Sequence, residues 1–266
     1  MRISRKMPSL SNVAAGSEAV LNLPLGNTYD KLMLEYSGVT LEQMKNIRLE
    51  INGKVVQQFK DGQRVIDINT YYGRPADDAG LLTFWFVRPE MLELKDQRLT
   101  ALGTLDIKTL ALRFDIDAAA TAPKVTAWAV LSERKPLGMI TKIKTFTSSV
   151  STSGEQEIDN IPRGNFENGI RIAAIHAFKS DILKGILELD SRVAFELPKT
   201  IAENVQRKYG RSPLTAKASH FDFVLEGEIV QSITTKEVQD FRLKLDHNAA
   251  GSTDVVVEYL EGLQGL

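Results

Sequence analysis

The chain has 266 residues, enough for two domains of ordinary size that can each bury a core. Its 43% hydrophobic and 25% charged content belongs to a globular protein, not to a disordered or fibrous one. Lysine and arginine (33) balance aspartate and glutamate (34), so no net field favours a polyanionic partner, and the absence of cysteine removes disulfides and thiolate chemistry.

The first segment carries Arg2, Arg5 and Lys6 like the start of a signal peptide, but Ser11, Asn12, Gly16, Ser17 and Glu18 break any apolar stretch behind them. It reads as a solvated or partner-ordered tail. No segment approaches the ~18 consecutive apolar residues that a bilayer crossing needs. Strand-like runs follow at 19–23, 31–36, 47–51 and 54–59, several with the period-2 alternation of a half-buried strand. Asn52-Gly53 between the last two predicts a hairpin, because both residues accept the positive φ of a type I′ turn. Val65, Ile68 and Tyr72 then mark one face of a helix ending at Gly73 and Pro75. Further strands are predicted at 81–87, 98–102, 109–116 and 124–130.

Ser132 to Gly138 has linker chemistry, and Thr145 to Gly154 is rich in serine and threonine. The join falls near residue 137 and divides the chain into 1–137 and 138–266. In the second half Thr200 and Glu203 have the spacing of a capping box. Ile201, Val205 and Tyr209 follow on one helical face before Gly210 and Pro213.

The two halves repeat each other. Pro24, Gly26 and Asn27 recur 138 residues later as Pro162, Gly164 and Asn165, and Leu49-Glu50-Ile51-Asn52 as Leu187-Glu188-Leu189-Asp190. Tyr72-Gly73-Arg74-Pro75 returns as Tyr209-Gly210-Arg211-Ser212-Pro213, Phe84, Phe86 and Val87 as Phe221, Phe223 and Val224, and Arg113 to Asp117 as Arg242 to Asp246. Ordered blocks with drifting offsets indicate two copies of one domain, not a solenoid. About eight strands per copy, with one helix inserted between the fourth and fifth, point to an antiparallel sandwich or barrel.

The inventory of chemistry is thin. His176, His220 and His247 lie in different strand contexts without ligand spacing, and His176 reads as a strand residue bonded to a neighbour. Asp115 and Asp117 share a strand face that could accept a hard cation such as calcium, yet they fit no EF-hand loop and read as a strand end turning into Ala118–Pro123. Asp246 behind Lys244 is the matching acidic candidate. Glu50, Glu90, Glu188, Glu226 and Glu228 offer carboxylates for a glycosidase, but nothing selects a pair. In Phe84-Trp85-Phe86 the phenylalanines share the inward face and Trp85 points outward. No Gly-x-Ser-x-Gly elbow or phosphate loop occurs. No catalytic, cofactor-binding or metal-binding residue is assigned, and the chain is not read as an enzyme. Tandem sandwiches without an active site suggest assembly: three chains about a threefold axis place six similar domains in a ring.

The residues resemble the major capsid proteins of corticovirus-type phages, tailless icosahedral bacterial viruses with an internal membrane. The likeness runs through Asn12–Gly16, Leu23–Tyr29, Tyr36–Thr40, Phe86–Met91, Ala101–Thr104 and Phe114–Asp117, then Arg171–His176, Leu225–Gly227 and Val257–Tyr259. It weakens around 145–154 and 195–218. The resemblance implies an all-β double jelly roll: two tandem eight-stranded jelly rolls, each with a short helix in a long insertion. It further implies a homotrimeric, pseudo-hexagonal capsomer in the virion capsid, made and assembled in the host cytoplasm. Neighbouring capsomers, a penton protein and membrane-associated viral proteins would be its partners, without sequence-specific nucleic-acid binding. No cofactor is required, and a divalent cation such as calcium is admitted at subunit contacts. The alternative reading is a carbohydrate-binding or glycan-active tandem jelly roll, with Trp85 and Trp128 as its rings; a host-attachment spike is a third, without a visible shaft.

Overall fold

The computed structural model describes residues 2–265. The chain forms two compact units, residues 2–70, 74–144 and 261–264 in the first, and 71–73, 145–260 and 265 in the second. Along the chain run β1 (Ile3–Lys6), β2 (Glu18–Asn22), β3 (Thr28–Ser37), β4 (Met44–Ile51), β5 (Lys54–Asp61), α1 (Gly62–Tyr71), β6 (Leu81–Trp85), α2 (Leu94–Leu99), β7 (Leu110–Ile116) and β8 (Lys124–Ser132). They continue with β9 (Ile140–Val150), β10 (Gly154–Ile158), β11 (Arg171–Phe178), β12 (Ile182–Leu189), β13 (Arg192–Pro198), α3 (Lys199–Lys208), β14 (Ser219–Asp222), a 3₁₀ turn (Ile229–Gln231), β15 (Ile233–Thr234), β16 (Phe241–His247) and β17 (Gly251–Glu261).

In the first unit two antiparallel sheets run β1-β8-β3-β6 and β2-β7-β4-β5. In the second the corresponding orders are β9-β17-β11-β14 and β10-β16-β12-β13. Except at one hairpin, successive strands change sheet, which is the eight-stranded jelly roll. The short β15 is an addition beside β11.

Matching irregularities show how deep the repetition runs. The β4–β5 turn holds Asn52 and Gly53 at φ 51° and 77°, and the β12–β13 turn holds Asp190 and Ser191 at 48° and 65°. Both are turns whose handedness follows the strand twist. The β4–β5 ladder shifts register between Leu49 and Glu50, and the β12–β13 ladder between Leu187 and Glu188. Likewise β3 slips between Tyr29 and Lys31, and β11 between Ile172 and Ala174.

Alternation fills each core. In β16 Phe241, Leu243 and Leu245 point inward between Arg242, Lys244 and Asp246, and they meet Ile172 and Ile175 of β11 and Val255 and Val257 of β17 in one cluster. In the first unit Phe59 of β5 touches Phe84 of β6 edge-on at 6.1 Å, joining its two sheets.

The helices seal strand edges. Asn69 of α1 donates its side-chain amide to the Thr83 carbonyl of β6 at 2.8 Å, and Gln206 of α3 donates to the His220 carbonyl of β14 at 2.7 Å. Both pairs are separated by the repeat offset. Asp77 accepts the Thr83 N–H, so this stretch of the β6 edge has its hydrogen bonds made by side chains.

Four expectations need correction. Residues 3–6, read as a solvated or partner-ordered tail, form a strand on β8 with their side chains exposed, and counting it puts each helix between the fifth and sixth strands. Arg98 and Leu99 end α2, and only Leu102 keeps a bridge, to Tyr29. The capping box does not form: Pro198 is the N-cap of α3, and Glu203 accepts from Thr215 and Arg207 instead. Ile201 and Tyr209 face outward, while Ala202, Glu203 and Gln206 are buried.

Gly185 of β12 has no room for a side chain, since a Cβ there would lie 2.1 Å from the Phe221 ring. Gly185→Ala should therefore destabilise the second unit by about 1–3 kcal/mol through overpacking, read as a lowered urea midpoint at unchanged slope.

Candidate assembly surface and buried polar cluster

Large apolar side chains lie on the surface of both units, and in each some of them lie on one pair of loops. In the first unit Leu25 sits between β2 and β3, and Leu92, Leu94, Leu99 and Leu105 between β6 and β7, with exposures from 39% to 70%. The helix α2 among them buries none of its residues. Thr104 ties the two loops together, accepting the Gly26 N–H at 2.8 Å and donating to the Asn27 carbonyl at 2.5 Å. In the second unit the equivalent loops carry Phe166 and Val230, exposed by 50% and 72%. Thr235 joins them through the Arg163 carbonyl at 2.5 Å. Clustered exposed leucines on an ordered loop are what a neighbouring molecule covers.

Beneath the surface each unit holds buried charge. In the first, Glu90 lies between Arg74 at 2.8 Å and Arg88 at 3.2 Å, all three almost without solvent. Burial alone would raise the Glu90 carboxyl, but the two guanidinium groups outweigh it and hold the group ionised below its usual range. In the second, Arg211 meets Asp222 at 2.8 Å. Arg74 and Arg211 are the repeated arginines of the Tyr-Gly-Arg motif, and each follows a glycine of positive φ. Each neutralises a buried carboxylate, drawn from different places in the two copies.

Around Arg211–Asp222 stands a larger cluster. Tyr71 donates its hydroxyl to Asp222 at 3.2 Å and stacks on His220 at 4.0 Å between ring centroids. His176 and His220 bring their Nδ1 atoms to 2.8 Å, and Nε2 of His176 lies 3.2 Å from Oε1 of the buried Glu258. Nε2 of His220 accepts the backbone N–H of Leu214 at 3.3 Å. That bond assigns the tautomers by elimination: the neutral His220 carries its proton on Nδ1 and donates it to His176, which donates its own from Nε2 to Glu258. Burial, then the neighbouring His176, holds His220 well below the ordinary histidine range. Burial and the Asp222 charge push the Tyr71 phenol well above its own.

The sequence candidates fall into place around these features. His176 is the bonded strand residue expected of it, but its partner His220 was not foreseen, since 44 residues separate them. His247 stands apart, bonded to Gln156 at 3.0 Å. Asp117 closes on Lys45 and on the Ala119 N–H, and Asp115 accepts from Asn46, as a strand end turning into its loop would. Lys244, before Asp246, reaches Glu188 at 2.9 Å. Glu50 pairs with Arg113, and Glu226 accepts from Tyr209 and Gln231. Phe84 and Phe86 are buried, Trp85 lies under Lys31 at 4.8 Å, and Trp128 holds Lys6 at 5.8 Å. Among the described residues no three of His, Cys, Asp and Glu gather as a metal site.

The family model described as the viral coat protein P2 N-terminal domain matches residues 4–132, and that of the viral coat protein P2 C-terminal domain matches residues 140–263. The chain is 36% identical to the major capsid protein P2 of Pseudoalteromonas phage PM2, covering 98% of this chain and 97% of that protein. It superimposes on the crystal structure of P2 from bacteriophage PM2 with a TM-score of 0.95 at 34% identity, covering both chains completely. The STIV MCP shares the double jelly-roll fold at a TM-score of 0.71 and 10% identity, over 98% of this chain and 97% of that one.

The histidine pair predicts a pH dependence. A histidine whose folded pKa is depressed leaves the unfolded chain binding more protons once the pH falls below its ordinary value near 6.5. Stability should therefore drop on acidification from about pH 7 toward 5, by up to about 1.4 kcal/mol per pH unit from His220. His247, also lowered by burial, acts in the same direction. Thermal melts across this range check it, and His220→Gln should flatten the slope.

Proposed function

This chain belongs to the viral coat protein P2 family, and we propose that three copies close into a pseudo-hexagonal capsomer that tiles an icosahedral shell over an internal membrane. Its place is the virion capsid, where it assembles with other capsid subunits as a structural protein and not as an enzyme. The carrying observation is the 36% identity to a major capsid protein over 98% of the chain.

Two features support the capsomer. One polypeptide already supplies two copies of one jelly roll, so three polypeptides supply the six similar bodies that a hexagonal tile requires. The exposed leucines of the first unit, with Phe166 and Val230 of the second, give each copy apolar loops that need a neighbour. In this reading a penton protein fills the fivefold positions, and membrane-associated viral proteins meet the inner rim. Any calcium at the subunit contacts takes ligands from more than one copy, given the scattered carboxylates of a single chain.

Light scattering on the eluting protein should report about 90 kDa, three times the 29.5 kDa chain. Negative-stain images should show six-lobed particles. A protein that stays monomeric at high concentration would overturn the proposal.

A further inference from the structure

The two jelly rolls differ at one equivalent place, the outer edge of the fifth strand. In the first unit β5 is flanked on that edge by the start of β9, which runs parallel to it with Gln57 beside Ile143. Gln57 donates to the Thr141 carbonyl at 2.9 Å, and Lys144 donates to the Val55 carbonyl at 2.7 Å. In the second unit the equivalent strand β13 ends its sheet, and no strand among the described residues lies beyond it.

The shared bulge fixes the correspondence residue by residue. Leu49 faces Gln57 and Glu50 faces Val55, while Leu187 faces Phe195 and Glu188 faces Val193. Gln57 thus matches Phe195, and Val55 matches Val193. Burial records the missing cover: Gln57 is buried where Phe195 is only half-buried, and Val193 is 54% exposed.

A second edge has the same deficit. β1 ends the other sheet of the first unit with all four of its side chains exposed, Ile3 among them at 44%. It occupies the place of β9. The β1–β8 ladder sets Lys6 against Trp128, and β9 is held to β17 by Thr147–Asp254 and Ser149–Ser252 hydrogen bonds. Carrying the register of the last strands across makes Ser4 the counterpart of Ile143 and Arg5 that of Lys144. Where Ile3 is exposed, its counterpart Lys142 is fully buried.

We propose that the open edge of β13 in one copy is completed by β1 of a second copy, in parallel, with Phe195 beside Ser4 and Val193 beside Arg2. Arg5 of the second copy then donates to the Val193 carbonyl, as Lys144 does to Val55 inside one chain. The contact is heterologous, since each copy offers β13 on one side and β1 on the other, so it closes only as a ring. An uncovered strand edge is a template for such addition. The inference rests on the capsomer reading and names its subunit contact.

The cysteine-free chain allows a direct test. Oxidised Ser4→Cys/Phe195→Cys protein should run as reducible covalent dimers and trimers, at least tenfold above either single variant. Arg2→Cys/Val193→Cys, at two exposed positions, should do the same and guards against misfolding at Phe195. Gln57→Cys/Ile143→Cys should link within one chain and calibrates the geometry. A protein of threefold mass in which neither intermolecular pair links would overturn this contact and leave the capsomer standing. A monomer would overturn both.

Discussion

Every β-sheet ends in a row of unpaired N–H and C=O groups, and the disposal of those rows organises this molecule. Side-chain amides of α1 and α3 cap the β6 and β14 edges at matching carbonyls. The segment at Ser11 bridges Val20 on the free side of β2. The start of β9 covers β5. The helical insertions are therefore part of how the sheets end, which explains why both copies keep a helix at the same place. It also explains why α3 can leave Ile201 and Tyr209 in solvent: its buried side is chosen by the edge it seals, through Gln206, and not by apolar content.

The second constraint is ionic. Arg74 with Glu90 and Arg211 with Asp222 are buried where a lone charge would cost several kcal/mol, so both members of each pair are required together. The retained arginine and the displaced carboxylate show that duplication preserved the cation and let the anion move. In the His220–His176–Glu258 chain directional neutral bonds bring two imidazoles to one buried carboxylate. Such a network is tolerant of neutral pH and vulnerable to acid, because protonating His220 puts a proton on Nε2, against the Leu214 N–H that this nitrogen accepts.

Local chemistry was the legible part of the sequence. Asn52-Gly53 announced its hairpin, the Val65, Ile68 and Tyr72 spacing marked a face that is buried, and the repeated blocks fall on equivalent strands and turns. Features set by distant partners were not legible. β1 has four exposed side chains and becomes a strand only through β8. Thr200 and Glu203 have capping-box spacing, yet Glu203 is claimed by Thr215, twelve residues on. Arg98–Leu102 has the composition of a strand, but its first two residues finish a helix whose Gln97 carbonyl accepts the Arg88 N–H. His176 and His220 meet because β11 and β14 pair at that register, which no spacing announces. The exposed leucines of the first unit were not legible for the same reason: an apolar residue carries the same sequence signal whether its own fold or a neighbour covers it.

Duplication changes what an open edge means. A single jelly roll with one free donor edge and one free acceptor edge adds copies in either direction, and only the rotation between neighbours decides whether a ring or a filament results. Within the first unit the residues that begin β9 lie along β5 in the same chain, whatever the concentration. In the proposed ring one junction per chain, instead of one per domain, remains to be made between molecules, which lowers the entropy lost to association. The exposed Ile3 and the half-buried Phe195 correspond to Lys142 and Gln57, both buried in the first unit. A capsid subunit can carry two unpaired edges without aggregating indiscriminately when each edge fits the other and neither fits itself.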